Sequence, residues 1–207
     1  MSVREAYNAW AATYDTDRNL TRDLDHQVMQ ETLADTRYSS ILELGCGTGK
    51  NTALLAQIGA RVQALDFSEG MISQARAKLP APNVSYSVAD LTRQWPCADR
   101  SVDLIVCNLV LEHIAELPFI FAEASRTLVA GGRFFICELH PFKQYQGSQA
   151  NYQTGAEQVV IPAFVHHISD FLTAAESSGL TLKRLREWWH HEDQRAVPRL
   201  VSFMFEN

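Results

Sequence analysis

Residues 41–49 read Ile-Leu-Glu-Leu-Gly-Cys-Gly-Thr-Gly, and this stretch decides the fold. The run Ile41–Leu44 is apolar apart from one acid and predicts a short buried strand. The glycines at 45, 47 and 49 predict a tight turn, because glycine tolerates a positive φ and lets a ligand approach the backbone closely. The segment that follows carries leucine and isoleucine at helical spacing. Strand, glycine turn and helix together predict the first unit of a doubly wound sheet, in which ligands bind at the carboxyl ends of the strands.

The rest of the core repeats this alternation of strands and helices. Further apolar runs predict parallel strands at Arg61–Leu65, Val84–Val88, Val102–Cys107 and Arg133–Glu138. Amphipathic spacing predicts crossover helices at Asn51–Ile58, at Glu69–Leu79 with Ser68 as its N-cap, and from Pro118 to Leu128. We expect Gly131-Gly132 to stop the last of these helices before the fifth strand.

The segments outside this core predict a helical cap and a closing hairpin. Apolar residues recur at helical spacing through residues 1–36. Residues 141–161 are rich in Gln, Tyr, Asn and Gly, and only Gln158–Ile161 resembles a strand, so we expect a functional insertion. A helix from Asp170 to Ser178, capped by Ser169, should precede two paired strands, Leu180–Trp188 and Arg199–Phe205.

We therefore predict an α/β fold built on a doubly wound, Rossmann-like sheet. The sheet should have seven mostly parallel strands with an antiparallel last strand, preceded by an N-terminal helical cap. A chain of 207 residues suits a single domain. Its predicted parts are a helical cap at 1–36, a cofactor-binding core at 40–139, an acceptor-side insertion at 140–168, and a closing helix and hairpin at 169–207.

Composition points to a small-molecule partner. The net charge is −6 and Lys and Arg form no cluster, which argues against binding of nucleic acid or an anionic membrane. No signal peptide or membrane span is evident, so we expect a cytoplasmic protein, as a monomer or homodimer. The four cysteines lack paired spacing and suit reduced thiols. The adjacent histidine pairs at 166–167 and 190–191 have no cysteine nearby, and we expect no metal site.

The glycine turn discriminates between two classes of ligand. A dinucleotide site requires Gly-x-Gly-x-x-Gly, but here the third glycine comes one residue early and Lys50 stands where it should be. Glu43 would also place a carboxylate near any pyrophosphate. S-adenosylmethionine (AdoMet) has no phosphate and carries a cationic sulfonium and an ammonium group. The turn therefore favours AdoMet over a dinucleotide.

With these motifs in order, the sequence resembles the class I AdoMet-dependent methyltransferases, in particular the branch similar to ubiquinone and menaquinone biosynthesis methyltransferases. The resemblance covers roughly residues 5–140. It consists of the Glu43–Gly49 turn, Asp66 at the end of the second strand, Asp90-Leu91 after the third, and Asn108–His113 after the fourth.

The resemblance implies a set of cofactor contacts. Asp66 should accept hydrogen bonds from the ribose hydroxyls. Asp90 should accept one from the adenine amino group, and the backbone of Leu91 should contact a ring nitrogen. Phe67 and Met71 should flank the adenine, and Tyr14 should close over the cofactor. The methionine moiety should lie along the turn, above Asn108 and Leu109. The implied cofactor-binding residues are Tyr14, Glu43, Gly45, Cys46, Gly47, Gly49, Asp66, Phe67, Met71, Asp90, Leu91, Asn108 and Leu109.

Several of these residues also have a purely structural explanation. Asp66 or Asp90 alone is more often a solvated or capping carboxylate, and only their combination favours a site. Tyr7, Trp10 and Tyr14 lie at helical spacing and could form a core-facing stripe, which we prefer for Trp10. Cys46 is expected to fill the loop, since nothing nearby would depress its pKa.

Titratable residues crowd the segments expected on the acceptor side. His113 and His140 follow strand ends and are candidate catalytic residues, as general base or in orienting the acceptor; packing or helix capping is the alternative. Tyr145, His166 and His167 are candidate substrate contacts, with Glu112 and Tyr152 nearby. Trp188 and Trp189 must face opposite sides of a strand, so one can be core and the other pocket or surface.

The sequence thus predicts AdoMet-dependent methylation of a small molecule at oxygen or nitrogen. One alternative is carbon methylation of a quinone-like ring. Another is a protein that binds AdoMet without catalysis, although the intact turn does not favour it. A dinucleotide-dependent oxidoreductase is opposed by Lys50 and Glu43.

Overall fold

The computed structural model describes residues 1–154, 157–194 and 196–207. The strands are β1 (Ile41–Leu44), β2 (Val62–Asp66), β3 (Val84–Val88), β4 (Val102–Asn108), β5 (Leu128–Leu139), β6 (Asn151–Thr154), β7 (Glu157–Val160), β8 (Thr181–Trp188) and β9 (Leu200–Glu206). The helices are α1 (Val3–Trp10), α2 (Leu20–Leu33), α3 (Thr52–Ile58), α4 (Glu69–Lys78), α5 (Leu117–Thr127), α6 (Pro141–Tyr145) and α7 (Ile168–Ser177). Two 3₁₀ turns occupy Leu111–His113 and His191–Asp193.

Seven strands form one sheet in the order β3-β2-β1-β4-β5-β9-β8. Strands β1 to β5 are mutually parallel, and β9 runs antiparallel to both of its neighbours, β5 and β8. The predicted doubly wound sheet with an antiparallel last strand is confirmed. The strand order reverses between β1 and β4, and this is the position at which such sheets form a ligand crevice outside their carboxyl ends.

Helices cover both faces of the sheet. Alternate residues of each strand point to opposite faces, so Leu42 packs toward α5 and α7 while Ile41 packs toward α2 and α3. On the first face, Phe121 packs edge to face against Phe134 and Phe205, with ring centroids 5.5 Å away in each case. These two layers of apolar side chains hold the sheet between the helices. Neither layer covers the carboxyl ends of the strands, at the edge where the site lies.

The structure corrects the sequence predictions at two element boundaries. Gly131-Gly132 does not stop a helix, because α5 already ends at Thr127 and the glycines lie within β5. There the Gly131 amide donates to the Asn207 carbonyl at 2.8 Å, which extends the sheet beyond the predicted start at Arg133. Helix α7 begins after His167 rather than Ser169, and the Asp170 carboxylate accepts the His167 amide at 2.8 Å.

The cap is less regular than predicted, and the insertion is more regular. Helix α1 ends at Trp10, and Tyr14 lies in the turns that follow it. Within the insertion, β6 and β7 form a separate two-stranded hairpin. Gly155 and Ala156 of that insertion lie outside the described residues. Among the residues that are described, every helix is too short or too polar to cross a lipid bilayer.

Candidate functional site

A cavity of about 310 Å³ opens at the carboxyl ends of β1, β2 and β4. This volume falls within the range of about 300–1,000 Å³ that is common for small-molecule sites. Twelve of the thirteen predicted cofactor-binding residues line it: Tyr14, Glu43, Gly45, Cys46, Gly47, Asp66, Phe67, Met71, Asp90, Leu91, Asn108 and Leu109. The thirteenth, Gly49, lies behind the turn, where an added Cβ would be 3.3 Å from the Cβ of Ala75. Gly49 therefore serves close packing of the turn on α4.

The glycine turn forms one wall of the cavity. Gly45 has a φ of +70°, and a Cβ at this position would lie 2.1 Å from Cγ2 of Val110. Only glycine fits such a place, because both the backbone conformation and the close approach exclude a side chain. Gly47 donates its amide to Oδ2 of Asp66 at 2.9 Å, which ties the turn to the end of β2.

Three buried carboxyl groups surround the cavity: Asp25, Glu43 and Asp66. Burial raises the pKa of Glu43 to about 8, although the Thr52 hydroxyl donates to its Oε2 at 2.6 Å. Burial likewise raises the pKa of Asp66 to about 6 and that of Asp25 to about 6. A buried carboxyl group with a raised pKa lacks a counter-charge, so a cation that enters beside it would favour its ionised form.

Asp66 and Asp90 present their carboxylates differently. Asp66 is almost fully buried at the end of β2, and its two oxygens accept the amides of Gly47 and Ser68, both at 2.9 Å. Asp90 lies at the rim, and hydrogen bonds from Thr92 hold its pKa below the usual range. Both carboxylates line the cavity, one at its floor and one at its mouth.

Asn108 and Asp25 form the deep wall of the cavity. Asp25 accepts the side-chain amides of Asn108 at 2.6 Å and Asn51 at 2.7 Å, which joins α2 to the ends of β4 and the glycine turn. The carbonyl oxygen of Asn108, Oδ1, is buried and has no hydrogen-bond partner among the described residues. An orphaned acceptor beside three carboxyl groups is suited to a ligand that brings N–H donors and positive charge.

Residues of the helical cap cover the cavity. Tyr7, Tyr14 and Arg22 all line it, and the Arg22 guanidinium lies 4.0 Å from the centre of the Tyr14 ring. Arg22 also donates to the backbone carbonyls of Tyr14 and Asp17, which fixes the turns between α1 and α2. Burial raises the pKa of Tyr14 to about 12, so its hydroxyl stays protonated.

His113 lines the cavity, and both of its ring nitrogens are engaged. Nδ1 lies 3.0 Å from the carbonyl of Pro162, which can only accept, so Nδ1 carries the proton. Burial lowers the pKa of His113, so the ring is neutral and Nε2 accepts the Tyr7 hydroxyl at 2.8 Å. With no lone pair left over, His113 is placed to orient Tyr7 rather than to remove a proton.

A second cavity of about 100 Å³ adjoins the first. The two share Tyr7, Tyr14, Arg22 and Leu109 as common walls. Leu109 has a φ of +57°, a conformation that costs energy for a residue with a side chain and that clusters at functional sites. The remaining lining residues are mostly polar: Trp10, Asn19, Thr21, Glu112, Leu139, Lys143, Ser148, Gln149, Ala150 and Arg199.

Four predicted acceptor-side residues line neither cavity, among the residues that the structure describes. His140 is buried, caps α6 by accepting the Phe142 amide at 3.2 Å, and contacts Glu187 at 2.9 Å. The ring of His166 lies 2.8 Å from the carbonyl of Ile114. Tyr145 and His167 contact each other at the surface. None of these four side chains lines a cavity in the described part of the chain, so their roles at the site remain predictions.

The structure also places the tryptophans and Cys46, for which the sequence offered structural roles. Trp10 is buried against Tyr152, as the core interpretation predicted. Trp188 packs inward and donates to Ser202 at 2.8 Å, while Trp189 is exposed, so the two tryptophans do face opposite sides. Burial raises the pKa of Cys46 well above its usual range, as expected for an unreactive loop residue.

Sequence reasoning missed several lining residues of the cap, above all Asp25 and Arg22. Asp25 lies in α2 beside Leu24 and one turn before Val28 and Met29, which are all buried. An acid within the apolar stripe of a helix was the available signal, because a buried charge needs a partner or a ligand.

Comparisons with known proteins show which sequences and folds this chain resembles. The family model described as a methyltransferase domain matches residues 42–136. The biotin biosynthesis bifunctional protein BioHC of Cellvibrio japonicus is 36% identical over 139 residues, which are 67% of this chain and 27% of that protein. A malonyl-[acyl-carrier protein] O-methyltransferase of Yersinia pestis is 29% identical over 171 residues, 83% of this chain and 60% of that protein. The chain therefore spans less than two thirds of the length of either relative.

A solved structure extends the likeness of the fold over the whole chain. The N-methyltransferase NodS of Bradyrhizobium japonicum, in complex with S-adenosylhomocysteine, superposes with a TM-score of 0.76 at 18% identity. The match covers 100% of this chain and 99% of that one. It extends the shared architecture beyond residues 42–136 to the cap, the insertion and the closing hairpin.

Proposed function

Because this chain belongs to the class I AdoMet-dependent methyltransferases, we propose that it transfers a methyl group from AdoMet to an oxygen or nitrogen atom of a small molecule. The observation that carries the proposal is the ring of buried carboxyl groups, Asp25, Glu43 and Asp66, around a cavity whose orphaned acceptor is Oδ1 of Asn108. These groups suit the cationic methionine end of AdoMet and disfavour a pyrophosphate.

The adenosine end is assigned to the side of the cavity formed by β2 and α4. Asp66 is held by two backbone amides, and each of its oxygens keeps lone pairs for the ribose hydroxyls. Phe67 and Met71 offer apolar surface for the adenine, and Asp90 stands at the rim to accept from its amino group. Tyr14, which is fixed by Arg22, closes the cavity from the cap side.

AdoMet supplies an electrophilic methyl group, which the acceptor attacks in line with the bond that breaks, so catalysis depends on positioning. The shared wall of the two cavities is the place where the acceptor atom and the methyl group would meet. Tyr7 stands there with its hydroxyl proton directed to His113, so its oxygen can accept a hydrogen bond from the acceptor and orient it. Glu112 lines the acceptor cavity and can take the proton that an amine or hydroxyl gives up.

The size and polarity of the second cavity support a small polar acceptor. A volume of about 100 Å³ with Glu112, Lys143 and Arg199 in its wall suits few non-hydrogen atoms and little apolar surface. A quinone-like ring would be matched by an apolar wall instead. The name of the Yersinia relative, an O-methyltransferase, supports transfer to oxygen.

Calorimetric titration tests the proposal. We expect the purified chain to bind AdoMet and S-adenosylhomocysteine at one site, and NADH far more weakly. Asp66→Asn should weaken S-adenosylhomocysteine binding by about tenfold or more, because a hydrogen bond to a charged group contributes about 1.5–3 kcal/mol. Asp35→Asn removes the same charge at an exposed position and is the matched control.

Two outcomes would reject the proposal. One is the failure of AdoMet to bind at millimolar concentration. The other is NADH binding as tightly as AdoMet. If AdoMet binds and Asp66→Asn leaves the affinity unchanged, the ribose contact alone is wrong. Formation of S-adenosylhomocysteine over a panel of amino and hydroxy compounds then measures the transfer itself.

A further inference from the structure

We infer that the second cavity is a binding site for the carboxylate of an anionic methyl acceptor, held between Lys143 and Arg199. The inference rests on the proposed function and names the substrate class: a small hydroxy or amino acid. It follows from the charges of the two cavities, the geometry of the two cations, and an unpartnered carboxyl oxygen.

The two adjoining cavities carry opposite charge. The first is lined by the four acids Asp25, Glu43, Asp66 and Asp90, against the cations Arg22 and Lys50. The second is lined by Arg22, Lys143 and Arg199, against the single acid Glu112. Since Arg22 lies in the shared wall, the acidic side suits a cationic donor and the basic side suits an anionic acceptor.

Lys143 and Arg199 share one counter-ion, Asp193. Asp193 accepts the Arg199 Nε–H at 2.9 Å, and the Lys143 Nζ lies 3.5 Å from Asp193 Oδ1. All three side chains are mostly buried, at 19%, 17% and 5% exposure for Lys143, Arg199 and Asp193. One carboxylate cannot neutralise two cations, so a positive charge remains in a site sheltered from water. A monoanion restores neutrality, and this favours a carboxylate over a phosphate.

Both cations, which line the cavity, carry more N–H groups than Asp193 and Thr21 can engage. The Lys143 ammonium carries three N–H groups and Asp193 can engage one of them at 3.5 Å. The Arg199 guanidinium uses Nε and one terminal nitrogen for Asp193, and its other terminal nitrogen lies 3.2 Å from the Thr21 hydroxyl. A planar carboxylate could therefore accept from both residues at once.

Glu112 is placed to contact the opposite end of such an acceptor. It is 7% exposed, and its Oε2 is buried without a hydrogen-bond partner among residues 1–154, 157–194 and 196–207. Burial also raises its pKa to about 7. A buried polar atom without a partner requires one, and the Glu112 side chain lines the cavity in which an acceptor would supply it. The matching group is an N–H or O–H of the acceptor, which places an amino or hydroxyl function near the shared wall and the carboxylate farther away.

Small acids, each compared with its own uncharged amide, test the inference. Both the affinity and the rate of methyl transfer are measured. The protein, saturated with S-adenosylhomocysteine, is titrated calorimetrically with glycolate and glycolamide, glycine and glycinamide, and 3-hydroxybutyrate and its amide. We expect at least one acid to bind about tenfold more tightly than its amide, a difference of about 1.4 kcal/mol, and to lose this advantage at high salt. With AdoMet in place, the same acid should be the better acceptor.

Lys143→Gln supplies the matched variant, because Lys143 contacts one charged partner and its loss should not prevent folding. The variant should bind the preferred acid about tenfold more weakly, leave the amide and S-adenosylhomocysteine affinities unchanged, and raise KM for the acid more than it lowers kcat. Lys183→Gln, at an exposed ion pair with Glu206, should change none of these.

The inference is overturned if no acid in the panel binds more tightly than its amide, or if Lys143→Gln and Lys183→Gln behave alike. In both cases S-adenosylhomocysteine binding stays intact, and the proposed function survives. Failure of S-adenosylhomocysteine to bind the unmodified protein would instead reject the proposed function itself.

Discussion

Replacing Glu43 by glutamine should stabilise the free protein at alkaline pH while weakening its hold on AdoMet. Glu43 is buried at the end of β1, and its Oε2 accepts the Thr52 hydroxyl. Glutamine has the same shape and its carbonyl oxygen can keep that hydrogen bond. The substitution therefore removes the ionisation and leaves the packing.

The magnitude follows from the pKa of Glu43, which burial raises from 4.5 to about 8. Between these values the folded protein keeps a proton that the unfolded chain releases, so unfolding becomes easier as the pH rises. At about 1.4 kcal/mol per pH unit, the free energy of unfolding loses at most about 5 kcal/mol across this window. Relaxation and water entry around the charge reduce this, and we expect about 2 kcal/mol.

Thermal unfolding followed by circular dichroism measures the effect. At pH 8.5, Glu43→Gln should melt about 4–8 °C above the unmodified protein, since about 1 kcal/mol shifts the melting temperature of a domain of this size by about 2–4 °C. Below about pH 4 the two should converge, because Glu43 is then protonated in both the folded and the unfolded states. Calorimetry at pH 8.5 should show weaker AdoMet binding to the variant, which lacks the carboxylate.

The exposed Glu116 provides the control, and Glu116→Gln should leave the pH profile unchanged. The reasoning would be refuted by a Glu43→Gln variant that gains no stability at pH 8.5, or that gains equally at pH 5. Stronger AdoMet binding by the variant would contradict the role assigned to the carboxylate.

Three further predictions concern the turn, the core and a capping residue. Gly45→Ala should be less stable than Gly131→Ala by about 1–3 kcal/mol and should therefore melt at a lower temperature. Both glycines have a positive φ, but only an added Cβ at Gly45 meets a neighbour, Val110 Cγ2 at 2.1 Å, and equal melting temperatures would contradict this. Phe121→Ala should lower the free energy of unfolding in urea by about 3–5 kcal/mol, while Phe142→Ala, at a 51% exposed position, should change it little. His140→Asn should keep the cap on α6 and retain methyl transfer within about twofold, whereas a loss of kcat without a loss of stability would support the catalytic role that the sequence suggested.

The part of the fold that local patterns encode could be predicted from the sequence. Strand β1, the glycine turn and α3 are contiguous, so their hydrophobic spacing and glycines appear within eighteen residues, 41–58. The position of Asp66 follows from its place at the end of a strand. In a parallel sheet the carboxyl ends of the strands all lie on one edge. Residues that follow strands in the sequence can therefore be predicted to lie together in a site.

The residues that close the site depend on contacts between distant segments. Asp25 contacts Asn108 across 83 residues, and Tyr7 contacts His113 across 106 residues. No local pattern specifies which helix face the cap presents to the sheet. His140 illustrates the converse problem, because a histidine after a strand looks the same whether it caps the next helix or addresses a substrate.

The position of β9 bears on how the chain folds during synthesis. Strand β9 lies between β5 and β8, and it is the last of the three to leave the ribosome. The parallel strands β1 to β5 and the AdoMet cavity can assemble on the nascent chain, whereas β8 must wait for its neighbour. Until then β5 exposes an unpaired apolar edge, which is a template for aggregation. Slow translation of the final segment, or a stop codon ahead of Leu200, should therefore favour insoluble product even though every residue of that cavity has been made.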